Sequence, residues 1–511
     1  MTHEPESPAP AQLSPPPVRL SKSRFTSGLQ CHKQLWWRVH EPDAPELVPD
    51  AARQAIFDQG HVVGAAAQAR FPGGVLIDAP HRDFDARVAL TRAAIDAGAP
   101  AIFEAAFFVD DVFVAVDVLE RTRTGWTLVE VKSTTKVKPQ HVPDVAVQVH
   151  VLRAAGLHVD RAELMHLNRA CRFPDLSNLF ERVDLTGDVE ALLPDIRLSC
   201  GQQLRMLRGP LPEVATGSHC TSPYECPFLA RCWPPQPPHH ISTLYKMAHR
   251  AAQYEAQGIH TIFDLPQDPP LGLIQERQRK AVQEDRLIVA ATLADALRVV
   301  DYPFAALDFE TLQMPIPVWE GCRPWDQVPA QFSCHVVSAP GQMTHCEWLA
   351  DTAGDPRAEF ARRLVEACRG VRVVFAWNAA FEGQVIADLA AAVPVCAADL
   401  ADLRARLVDA LPLVRDHVYH PDFLGSFSLK TVLPALVPGS GYDGLEVADG
   451  GTASVQLRRL LVDQDFPPEA VEPARAALKA YCAVDTLGVV RLIDRLRELA
   501  DREATHPCWA G

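Results

Sequence analysis

No window of about 18 uninterrupted apolar residues occurs in this sequence, so no membrane-spanning helix is expected. The basic-then-apolar pattern of a secretory signal is missing too. Glu4, Glu6 and six prolines fill the first 17 positions. That composition predicts a disordered leader over residues 1–18, and with it a cytoplasmic location. Positive charge is scarce: 49 Lys and Arg stand against 64 Asp and Glu, a net charge of −15. This excludes a globally basic nucleic-acid coat, although a local basic groove stays open. The thirteen cysteines are an odd number, which in a cytosolic chain points to free, buried or metal-bound thiols rather than disulfides.

What is present is ordinary globular material. With 511 residues, 48% hydrophobic and 22% charged, two or three domains are expected. A helix is predicted from about Arg19, capped by Ser21 or Ser23, with Leu29, Leu35 and Trp36 on its apolar side and Cys31 within it. Further helices are predicted over 51–71, containing His61, and over 84–97. Strands follow at 101–109, 112–119 and 126–131, then a helix over 142–155 and a strand at 164–167. Glu104 sits inside an apolar strand, where a carboxylate is costly unless something pairs with it. The order predicts an α/β (mixed α+β) architecture with helices flanking a small sheet.

Glu130 and Lys132 are two residues apart on one strand and therefore share a face, while the preceding strand delivers Asp117. Two carboxylates and an amine at a sheet edge suit Mg²⁺ or Mn²⁺, which activates water and stabilises charge on a phosphate. Taken alone, the tripeptide reads more readily as an ordinary surface Glu–Lys pair, because such triplets are common by chance.

The ordered set His61, Glu104, Asp117, Glu130, Lys132 and Gln148 resembles the RecB-like branch of the PD-(D/E)xK nucleases, over roughly residues 19–233. The resemblance implies a restriction-endonuclease-like sheet in which His61, Asp117 and Glu130 hold a metal ion. Lys132 would then aid hydrolysis, and Gln148 would support the site. Two positions depart from the family pattern: its glycine is Phe113 here and its tyrosine is Leu152.

Cys220, Cys226 and Cys232 are separated by five residues each time, and with distant Cys31 they offer four thiolates, suited to zinc or a [4Fe–4S] cluster. The one-plus-three division resembles the iron–sulfur staple of RecB-like nucleases, which implies the cluster and leaves zinc as the alternative. Cys171 and Cys200 are expected in the core.

A Pro-rich boundary begins at residue 234, and 234–300 is expected to be a helical spacer. Within it, Gly258 to Pro266 resembles part of a helix-hairpin-helix unit. A last domain is expected over 301–500, with a tail at 501–511. Its first strand carries Asp308 and Glu310 on one face, a pair that repels itself without a cation. A second strand ends at Asn378-Ala-Ala-Phe-Glu382, and Tyr481 and Asp485 stand four apart on a helix. This series resembles the DEDD exonucleases of the ribonuclease H-like fold. It implies that Asp308, Glu310, Glu382 and Asp485 hold two Mg²⁺ or Mn²⁺ ions and that Tyr481 positions the attacking water. Glu382 stands where the family has aspartate. Lys430 is a phosphate-contact candidate, with a surface salt bridge as its other reading.

The whole resembles a bacterial family joining an iron–sulfur RecB-like region to a DEDD exonuclease-like domain. The expected function is a metal-dependent nuclease, an exonuclease on nucleic acid, with DNA ahead of RNA. The alternative is a nucleic-acid-binding or CRISPR/defence-associated accessory protein with one or both sites degenerate.

Overall fold

The computed structural model describes residues 18–505 except 234, 269, 352 and 448. The expected leader, apart from Val18, lies outside the described residues, as do residues 506–511 of the expected tail. The chain is a mixed α/β protein. It divides into one unit of residues 1–171 and 177–234 and another of 172–176 and 235–511.

The first unit is built on a seven-stranded sheet. Its strands are β1 (Leu20–Ser21), β2 (Val75–Leu76), β3 (Ala101–Val109), β4 (Val112–Arg121), β5 (Trp126–Lys132), β6 (Val159–Leu167) and β7 (Phe180–Asp184). The order is β2-β3-β4-β5-β6-β7, with β1 also paired to β4. β4 and β5 are antiparallel; β5 and β6 run parallel, joined by the crossover helix α5 below. The apolar runs of these strands bury one face of the sheet, from Ile102 to Leu164, in the main core and the other, with Phe103, Val118, Val129 and Met165, in a smaller one.

Its helices are α1 (Lys22–Gln30), α2 (His32–His40), α3 (Ala51–Gln68), α4 (Phe84–Asp96), α5 (His141–Ala154), α6 (Thr186–Leu207) and α7 (Leu229–Cys232). Ser21 caps α1, its hydroxyl accepting from the Arg24 amide at 3.3 Å. The expected single helix through Cys31 is two helices. Cys31 is extended (φ −159°, ψ 122°), which resets the helical phase. Phe25, Leu35 and Trp37 are buried as a result, and Leu29 is exposed.

The second unit has a five-stranded sheet in the order β11-β10-β9-β12-β13. A short pair, β8 (Ile288–Val289) with β14 (Val418–Tyr419), lies apart from it. The strands are β9 (Phe304–Gln313), β10 (Gln327–Ala339), β11 (Gln342–Leu349), β12 (Val373–Ala376) and β13 (Leu407–Asp409). β9, β10 and β11 are antiparallel neighbours, whereas β12 is parallel to both β9 and β13. The helices are α8 (Ala251–Glu255), α9 (Leu273–Gln283), α10 (Leu293–Ala296), α11 (Arg357–Ala367), α12 (Ala380–Ala392), α13 (Ala397–Ala405), α14 (Leu411–Arg415), α15 (Leu429–Leu436), α16 (Gly450–Arg458) and α17 (Pro468–Thr505).

Residues 235–300 are not a free-standing spacer. Ile241, Leu244, Ile262, Leu265 and Val282 are buried in the same core as Phe304, Val418 and Val490, because this stretch carries too little apolar surface to form its own. The stretch expected to resemble a helix-hairpin-helix holds a single 3₁₀ turn, Ile262–Asp264. The expected tail begins inside α17. Among the described residues no single helix is long and apolar enough to cross a membrane.

Candidate functional sites

The acidic centre of the second unit is assembled from a strand and a helix. Along β9 the odd residues Ala305, Leu307 and Phe309 pack with Phe360 of α11, so the even face turns Asp308 and Glu310 the other way. Over that face lies α17, tied down where Gln331 donates to the Leu478 carbonyl at 2.8 Å. One ligand oxygen from each of Asp308, Glu310 and Asp485 lies within 4.8 Å of the others. Cys482 donates to Asp308 Oδ2 at 3.3 Å, and the Tyr442 hydroxyl donates to Asp485 Oδ1.

Glu382 acts on this set by charge from the first turn of α12. The turn before it is sharp: Asn378 has φ +63°, and its amide donates to Asp409 Oδ1 at 2.9 Å. Glu382 is 3% exposed, and its buried Oε2 has no hydrogen-bond partner. A buried carboxylate oxygen left unpaired is expensive unless something else binds it.

The electrostatics are those of carboxylates crowded together out of water. Burial, then the Asp485, Glu310 and Glu382 charges, push Asp308 well above the carboxylate range. Burial and Asp485 push Glu310 up to about 8. Burial, then Asp409, raises Glu382 to about 7. Burial raises Asp485 to about 6, against the Tyr442 hydrogen bond and the Lys430 charge, which lower it. Four acids with raised pKa values, two of them buried and two half-buried, and an unpartnered oxygen fit a pair of hard divalent cations. Lys430 Nζ lies 5.2 Å from the Tyr481 ring centroid and 5.5 Å from that of Tyr442. Its charge also reaches Glu310 and Asp485, so it belongs to this centre.

The acidic centre of the first unit is organised differently. β4, β5 and α5 bring Asp117, Glu130, Lys132 and Gln148 together, as expected. Glu130 Oε1 accepts from Lys132 Nζ at 2.6 Å, and Oε2 from Gln148 Nε2 at 2.7 Å. Two residues without an expected role join them. Asp144 lies 2.5 Å from the Lys132 ammonium, and Lys22 reaches both Glu130 oxygens at 2.9 and 3.0 Å. Asp144 had a sequence signal, one helical turn before Gln148 on α5. Lys22 had none.

His61 is a correction to the expected ligand set. It is exposed on α3, whose buried face is set by Val63 and Ala67. Two residues from Val63 is about 200° around a helix, so His61 faces away. Glu104 also stands apart. It adopts φ +56° and pairs with Arg87 Nη2 at 3.4 Å.

The cysteines converge. Cys31, Cys220, Cys226 and Cys232 line one pocket together with Trp37 and His219. Gln30 holds the loop in place, donating to the His219 and Tyr224 carbonyls at 2.7 and 2.6 Å. Trp37 packs on Phe228 at 5.1 Å, and Arg231 pairs with Glu41 and Glu46 at 2.5 and 2.6 Å. Burial, then the neighbouring cysteines, raises the Cys226 thiol. Four thiols from distant segments gathered in one pocket fit a thiolate-bound metal group. Cys171 and Cys200 are buried elsewhere, as expected.

Comparison with known proteins adds a domain of unknown function (DUF2779), whose family model matches residues 305–428. The match starts in β9, takes in Asp308, Glu310 and Glu382, and ends before Lys430 and α17. No curated protein matches the chain. Among solved structures, "Crystal structure of SSO0001" aligns over 40% of this chain and 91% of its own, at 10% identity and a TM-score of 0.19. A likeness of that size carries no structural argument.

Proposed function

We propose that this protein is a metal-dependent nuclease that hydrolyses phosphodiester bonds in nucleic acid, DNA ahead of RNA, at the centre formed by Asp308, Glu310, Glu382 and Asp485. The observation that carries this reading is the convergence of Asp308, Glu310 and Asp485, with Glu382 and its unpartnered buried oxygen acting on them by charge and Lys430 at the edge. A pair of divalent ions bound there supplies the charge that stabilises the attacking and leaving oxygens of a phosphodiester. The chain's own residues then have separate tasks. The four carboxylates hold the metal, Tyr442 orients Asp485, and Cys482 steadies Asp308. Tyr481 orients the attacking water, and the Lys430 ammonium neutralises an incoming phosphate. The resemblance to DEDD exonucleases supports an exonuclease mode.

The four cysteines are proposed to hold a [4Fe–4S] cluster that staples α1 and α2 to the loop around α7.

The test is cleavage of end-labelled single-stranded DNA, double-stranded DNA and RNA by the purified full chain in Mn²⁺ or Mg²⁺. Stepwise loss of terminal nucleotides is expected, and chelation should abolish it. Failure to cleave any of the three would refute the reading.

A further inference from the structure

The N-terminal centre already contains its cation. Glu130 is 1% exposed, and its two oxygens accept four donated hydrogen bonds: Lys22 at 2.9 Å and Lys132 at 2.6 Å on Oε1, Lys22 at 3.0 Å and Gln148 at 2.7 Å on Oε2. A carboxylate offers about four lone-pair sites, so Glu130 is saturated. Asp144 is taken by Lys132 at 2.5 Å, and Asp117 Oδ2 accepts the Val131 amide at 2.7 Å. The Lys22 backbone is anchored on both sides, by the Ser21 cap of α1 and by the pairing of β1 with β4. His61, the remaining expected ligand, faces away on α3.

The contrast with the other centre is one of charge. There, four carboxylates share one nearby lysine. Here, three carboxylates (Asp117, Glu130 and Asp144) surround two ammonium groups, which leaves about one net negative charge. A divalent ion entering this cluster would have to strip Lys22 from both Glu130 oxygens. It would then sit among two ammonium groups with too little carboxylate to balance them. The residues do not fit the metal site that the PD-(D/E)xK resemblance implies.

We propose that the N-terminal centre is a lysine-neutralised ion cluster in which the Lys22 ammonium stands where a divalent ion would bind, so that of the two acidic centres only the Asp308 one takes divalent ions. The inference concerns a centre separate from the one assigned to hydrolysis above and holds whatever reaction that one performs.

Mn²⁺ binding tests it, measured by calorimetry and electron paramagnetic resonance on the full chain. In an Asp308→Asn/Glu310→Gln background the chain should bind no Mn²⁺ beyond weak surface association. Adding Lys22→Met should create a site at least about tenfold tighter, and further addition of Glu130→Gln should remove it. A folded Lys22→Met chain that gains no Mn²⁺ would overturn the proposal. Because Lys22→Met strips a buried carboxylate cluster of a cation and can unfold the unit, crystals of the unaltered chain soaked in Mn²⁺ give an independent reading. Anomalous density at Asp308 and Glu310, with none at Glu130, is expected; density coordinated by Glu130 would overturn it.

Discussion

Tyr442 donates its hydroxyl proton to Asp485 Oδ1, joining the loop after α15 to the acidic face of α17. One oxygen of Asp485 is thereby fixed and the other remains for a metal ion. Burial and the Asp485 charge hold the phenol well above its ordinary range, so it stays a donor at any working pH. Removing that orienting bond should leave the ligands in place and loosen one of them. Tyr442→Phe is predicted to weaken Mn²⁺ affinity by about 10-fold or more, as loss of a ligand-orienting bond does elsewhere. Raising Mn²⁺ should recover much of the activity, and a metal titration of the cleavage rate checks it. A rate lost equally at all Mn²⁺ concentrations would instead give Tyr442 a different role.

Asp308→Asn should separate stability from function. In the metal-free chain Asp308 is a half-buried acid among like charges, so neutralising it relieves repulsion. The metal-free melting temperature is predicted to rise, corresponding to roughly 1–2 kcal/mol. The stabilisation that Mn²⁺ gives the unaltered chain should disappear. Thermal denaturation with and without Mn²⁺ reads both.

Much of this centre was legible in the sequence, because it rests on local periodicities. Asp308 and Glu310 are two apart on a strand, and Tyr481 and Asp485 are four apart on a helix. Tyr442 was not legible: it lies in a loop, where no period places a side chain. Nor was Lys22, which meets Glu130 across 108 residues of sequence. His61 was misplaced because a helix contains residues on every side, and the packing of Val63 and Ala67 decides which side faces the sheet. Cys31 was grouped with the three cysteines it lies beside but given the wrong conformation, since a break between two helices leaves no compositional mark. The α/β class followed from the element order. Inclusion of 235–300 in the second core did not, because those apolar residues find their partners only in tertiary structure.

Acid sensitivity should trace in part to His335. It is buried, its Nδ1 lies 2.8 Å from the Thr486 hydroxyl, and it stacks on His345 at 4.1 Å. Burial, then the His345 charge, lowers its pKa from 6.5 to about 4. The folded state therefore favours neutral His335, while the unfolded chain protonates near 6.5. This contribution is complete above pH 6.5 and is lost as pH falls toward 4, up to about 3 kcal/mol. His335→Gln should flatten the decline of stability between those pH values. Urea unfolding of both proteins across the range measures the difference.

The cysteine pocket predicts colour and a divided melt. The anaerobically purified chain should be brown and contain iron, whereas Cys31→Ser should be pale. Cys396→Ser, which alters a thiol of the other unit, should keep both iron and colour. Because Cys31 lies between α1 and α2, its loss should lower the melting of the N-terminal unit first. Limited proteolysis would locate the change. A colourless, zinc-loaded chain with unchanged stability would reverse the cluster assignment.

Hydrolysis is proposed to belong to the Asp308 centre. The most direct measurement is the rate of cleavage of an end-labelled oligonucleotide in Mn²⁺ by the unaltered chain and by Asp308→Asn. Metal-dependent cleavage by the unaltered chain and a loss of at least about 10²-fold in the variant are expected. Cleavage that survives Asp308→Asn and disappears in Glu130→Gln would contradict it, and would move the reaction to the centre where Lys22 now sits.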